Sequence, residues 1–99
     1  MLHTVNKSPF QANSLLSCLR VAKEGSAILL IEDGVYGALK GTQATPTLEE
    51  ALKKHTVYAL EPDLLARGVR EQLHEGVKTV DYGGFVDLVA GHDTVQAWL

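Results

Sequence analysis

Apolar positions along the chain fall into short runs of strand length, separated by segments with helical spacing. Leu2 to Val5, short and ending in a β-branched residue, predicts a first strand. Asn6-Lys7-Ser8-Pro9 is turn chemistry, and Ser8, Pro9 and Gln11 together offer one helix start. Asn13 is a competing cap for a helix from about Ser14 to Lys23, with Gly25 as a left-handed exit. Ala27 to Ile31 is unbroken apolar sequence, the pattern of a strand buried on both faces of a parallel sheet. Gly34 to Leu39 predicts a short helix weakened by its own glycines. Gly41 to Thr47 is irregular, and Thr45-Pro46 favours extended backbone.

The second half repeats the alternation. Thr47-Leu48-Glu49-Glu50 is a capping box opening a helix that ends near Lys54, with two lysines suiting the dipole of its last turn. Thr56 to Leu60 predicts a third strand. Pro62 then suits a first helical turn, and Gly68 a helix end. Val69 to Gly76 has no clear period. Val77 to Val80 predicts a fourth strand, Asp81 caps a helix from Tyr82 to Ala90, and Val95 to Leu99 predicts a last strand. The expected fold is α/β: one small domain over residues 1–99, with a mostly parallel central sheet flanked by helices. Strand order is not readable from propensities.

Composition narrows the function classes. The 99 residues are 45% hydrophobic and 21% charged, which describes an ordinary globular chain. No apolar run approaches the roughly 20 residues of a membrane span, so the expected setting is cytoplasmic, with no membrane partner. Nine basic against twelve acidic residues leave a net charge of −3, which argues against a general grip on nucleic acid. The single cysteine, Cys18, excludes an internal disulfide and a multi-thiolate metal site.

Few residues carry candidate chemistry. Glu32-Asp33 stands at the carboxyl end of the second predicted strand, the edge where open α/β sheets collect ligands. A receiver-type phosphorylation site would also need an acceptor aspartate and a lysine after later strands, and these are missing. Turn or cap chemistry accounts for Asp33-Gly34 and is the favoured reading. Gly34, Gly37 and Gly41 do not make a nucleotide-binding fingerprint, and Gly83-Gly84 could serve close backbone approach or merely loosen a first helical turn. His3, His55, His74 and His92 lack ligand spacing, so neither a metal nor another cofactor is expected.

Cys18 has two readings. At about 100° per residue it lies on the flank of the face shared by Leu15, Leu19 and Ala22, away from Arg20 and Lys23. Free cysteine there is commonly a small core hydrophobe. A reactive thiol would instead need access and a lowered pKa. The ending Trp98-Leu99 is expected to dock, in this sheet or against another chain.

Several segments resemble the DsrH/TusB family over essentially the whole chain. They are Met1-Leu2-His3-Thr4-Val5-Asn6-Lys7-Ser8-Pro9, Leu29-Leu30-Ile31-Glu32-Asp33-Gly34-Val35, Tyr58-Ala59-Leu60 with Asp63-Leu64 and Ala66-Arg67-Gly68, Asp81-Tyr82 with Phe85-Val86-Asp87-Leu88, and Ala97-Trp98-Leu99. The resemblance implies a DsrE/DsrF/DsrH-like fold with flavodoxin-like layering. It also implies a sulfur-carrier or sulfurtransferase subunit that joins homologous DsrE/TusD-like and DsrF/TusC-like chains, two copies of each. That complex would relay persulfide sulfur to a DsrC/TusE-like acceptor, with the main sulfur-accepting cysteine on the larger partner. Cys18 matches a cysteine of DsrH-type chains, making it the candidate persulfide carrier and favouring the DsrEFH branch of intracellular sulfur oxidation. The alternatives are the TusB branch, serving 2-thiolation of the tRNA wobble uridine, or a non-catalytic assembly subunit of either complex.

Overall fold

The computed structural model describes every residue from Met1 to Leu99. Five strands, β1 (Leu2–Val5), β2 (Ala27–Leu30), β3 (Thr56–Leu60), β4 (Lys78–Val80) and β5 (Val95–Trp98), form one sheet in the order β4-β3-β2-β1-β5. Every pairing is parallel. The expected parallel α/β domain is therefore present, and the unread strand order is supplied.

That order decides where the helices go. From β1 to β4 the chain steps one strand at a time in one direction, through α1 (Ser14–Val21), α2 (Thr45–Lys54) and α3 (Glu61–Ala66). Leu15 and Cys18 of α1, Leu48 and Ala51 of α2 and Leu64 of α3 join one core with Val5, Ile28, Leu30, Val57 and Ala59 of the sheet. After β4 the direction reverses, because β5 lies beyond β1. Parallel crossovers keep one hand, so this reversal sends the last helix, α4 (Tyr82–Ala90), over the opposite face. There Phe85 and Leu88 pack on Leu2, Ala27 and Leu29. One face of the sheet is thus closed by a large core and the other by a single helix.

Several boundaries differ from expectation for local reasons. Helix α1 stops at Val21 because Ala22 turns extended, and Gly25, at φ 91°, serves the turn before β2 instead of a helix exit. Asn13 occupies the N-cap position without a capping side-chain bond. Helix α2 begins at Thr45, two residues before the capping box, because Pro46 sits in its first turn where no amide donor is needed. The expected Gly34–Leu39 helix is a 3-10 helix over Glu32–Ala38. Gly34 is required there: a Cβ would lie 2.1 Å from the Val5 carbonyl oxygen. The undecided 69–76 segment holds a 3-10 turn, Arg70–Gln72, and a bridge between Leu39 and Leu73. Asp81 caps α4 as expected, accepting from the Gly84 amide at 2.7 Å. No helix is long and apolar enough to cross a membrane.

Candidate functional site

Helix α1 delivers Cys18 into the core. Leu15 and Cys18, one turn apart, are its two buried residues, and the thiol side chain has no exposed surface. Burial pushes its pKa up from 9.0 to about 11. No neighbouring cation offsets that penalty, so near neutral pH the sulfur is an unionised thiol. In this conformation it has the attributes of a packing group, not those of an exposed nucleophile.

The carboxyl edge of the sheet holds a polar network. Glu32 adopts φ 51°, and its amide donates to Asp63 Oδ2 at 2.6 Å. Arg67 Nε donates to Asp33 Oδ1 at 2.9 Å, and the same guanidinium lies 3.8 Å from Asp63. Asn6 Nδ2 donates to Glu32 Oε2 at 3.4 Å, and Arg70 Nε donates to Glu61 at 2.8 Å. Glu32 and Asp33 are thereby engaged in tying the ends of β1, β2 and β3 together. Asp63 and Arg67 were not singled out among the candidate chemical residues. Their visible signal was position alone, just after the third strand. Beside the starts of α1 and α2 lies a groove of about 330 Å³, lined by Pro9, Phe10, Leu15, Leu16, Ala44 and Thr47 among others, with no titratable side chain.

No group of three or more His, Cys, Asp or Glu side chains is placed to hold a metal ion. His3 is buried, and its Nδ1 accepts from the Trp98 indole at 3.1 Å, so the docked aromatic of β5 is held inside this chain's own sheet. Leu99, by contrast, is 82% exposed, so docking within this chain is limited to Trp98. His74 Nε2 lies 3.3 Å from Glu49, and His92 Nδ1 lies 2.7 Å from the Leu88 carbonyl. A Cβ on Gly84 would stand 3.0 Å from the Val80 side chain, so its close neighbour is a side chain and not another backbone.

Comparison with known proteins is consistent along the length. A family profile described as DsrH like protein matches residues 7–95. Protein TusB of Shigella sonnei is 40% identical over 98 residues, covering 99% of this chain and all of the relative. Protein TusB of Escherichia coli O139:H28 is 39% identical with the same coverage. Among solved structures, the ychN protein of E. coli superposes with a TM-score of 0.76 at 15% identity, covering 97% of both chains, a likeness of fold. Protein Tm0979 of Thermotoga maritima is 31% identical with a TM-score of 0.62, covering 95% of this chain and 97% of the other. These curated relatives bear the TusB name, that of the alternative branch and not of the DsrEFH branch that Cys18 had suggested. With a profile across most of the chain and full-length relatives near 40% identity, the protein belongs to the DsrH/TusB family.

Proposed function

We propose that this chain is a TusB-type subunit of a cytoplasmic sulfur-relay complex that serves 2-thiolation of the tRNA wobble uridine, and that its role there is assembly. It joins TusC-like and TusD-like partners, two copies of each chain, while the sulfur-accepting cysteine belongs to the TusD-like partner and a TusE-like protein receives the sulfur. Full-length identity to TusB proteins supports the branch over sulfur oxidation. The observation that carries the assembly role is the fully buried Cys18, whose thiol pKa is raised to about 11. Persulfide transfer needs a thiolate that can reach the donor's outer sulfur.

The test is complementation. A strain lacking the protein should lose 2-thiouridine at the wobble position, and both wild type and Cys18→Ala should restore it. Loss of restoration by a stably folded Cys18→Ala chain would return Cys18 to the carrier role. So would a Cys18-dependent mass gain of about 32 Da after exposure to a persulfide donor. Normal thiouridine in the deletion strain would overturn the branch assignment.

A further inference from the structure

The opposite face of the sheet is under-covered. Helix α4 is its only helix, contains no buried residue, and carries one charged side chain, Asp87, among apolar ones. Of the ten large apolar side chains left exposed, five lie within the last 18 residues: Tyr82, Val86, Val89, Val95 and Leu99. Tyr82, Val86 and Val89 recur at i, i+4 and i+7, which places them along one stripe of α4. Phe85, Val86, Val89 and Ala90 line a groove of about 270 Å³ whose lining is wholly apolar. Beside it, β5 is an edge strand, and Val95 and Ala97 lie on this same face because they pair in register with Leu2 and Thr4. A contiguous apolar surface of this kind marks a contact with another molecule.

Charge distinguishes the occupant. All nine lysines and arginines lie at or before residue 78, so α4 and β5 carry none; Lys78, paired with Tyr58, shares this face but stands on β4, at the opposite edge of the sheet from β5. The acids around the apolar stripe are Asp81, Asp87 and Asp93. None of them makes an ion pair within the chain, and Asp81 is engaged in the α4 cap. A second copy docked through the same face would set these acidic borders against each other, at a cost in both desolvation and repulsion. A face with an apolar centre and a lysine- or arginine-bearing border satisfies both requirements.

We propose that α4 and the outward side of β5, centred on Val86 and Val89, form the surface through which this chain docks a different protein subunit bearing an apolar patch bordered by basic side chains. This rests on the assembly reading above, in that the occupant is one of the two partner chains of the proposed complex.

The test is co-expression of the full chain with both partners, followed by affinity capture on a tag carried by this chain. Val86→Glu places a carboxylate in the stripe. Asp87→Lys reverses the border charge and, on an exposed position, provides a second variant if the first folds poorly. Val21→Glu, exposed at the end of α1, is the control. Each α4 variant should lower partner recovery at least about tenfold, and the control should leave it unchanged. Wild-type recovery should fall as salt rises. Full recovery with folded α4 variants would overturn the surface and leave the assembly reading intact. Recovery of no partner by wild type would overturn both. A homodimer broken by Val86→Glu would replace the partner chain by a second copy.

Discussion

Cys18 and Trp98 both point inward. Cys18 fills a position against the sheet, and its replacement by Ser puts a hydroxyl where apolar side chains meet. The expected loss is roughly 1–3 kcal/mol in urea unfolding. The native thiol should react with Ellman's reagent only as fast as the chain opens. His3 makes stability depend on pH. Its pKa is lowered from 6.5 by burial first, then by the amino-terminal charge and His55, and burial lowers that of His55 as well. With Nδ1 accepting from the Trp98 indole, protonation there breaks this bond. The unfolded chain binds the proton at higher pH than the folded one. Stability should thus be complete above 6.5 and decline as pH falls through that value. Urea midpoints measured across this range should show the decline, and His3→Gln should reduce it to the share that His55 contributes. The burial of Cys18 was only half legible in the sequence. A helical wheel places a residue on a face but does not show how deeply a neighbouring helix closes over it.

At the scale of elements, the sequence was most legible where side-chain periodicity and caps act locally. The α4 boundaries and the Asp81 cap agree with expectation, as do the third strand and the fully buried second strand. The departures cluster where tertiary contacts override local preference. Thr45 gives its hydroxyl hydrogen to the Leu39 carbonyl at 2.9 Å, anchoring a helix start that the Thr47 capping box does not govern. The 3-10 helix after β2 begins at Glu32 because Asp63, from a distant segment, holds the Glu32 amide in a left-handed conformation. Its Gly34 leaves no room for a methyl group, so Gly34→Ala must push the Val5 backbone away. A loss of roughly 3 kcal/mol is expected, read as a lowered thermal midpoint. The carboxyl-edge network was missed for the same reason: its partners lie about 30 residues apart, beyond any local pattern.

Across the whole molecule, packing is lopsided. The inner strands β1, β2 and β3 have a paired strand on each side and a thick core, whereas α4 rests on the sheet by Phe85 and Leu88. Hydrogen exchange followed by mass spectrometry should show the slowest amides in β1 and β2 and the fastest helical amides in α4. Addition of the partner subunits should slow exchange in α4 more than in α1. Strand order and helix coverage escaped the sequence because both follow from the reversal after β4, a choice between topologies with the same local patterns. That reversal also sets a timetable for synthesis. β1 pairs with β5 from Leu2↔Val95 to Val5↔Trp98, so the outer edge of the first strand made waits for the last. A ribosome-bound chain that has emerged only as far as α3 already contains β1, β2 and β3, with the outer backbone edge of β1 unpaired. During that interval the nascent sheet offers a template to any other extended segment, and delivery of β5 removes it.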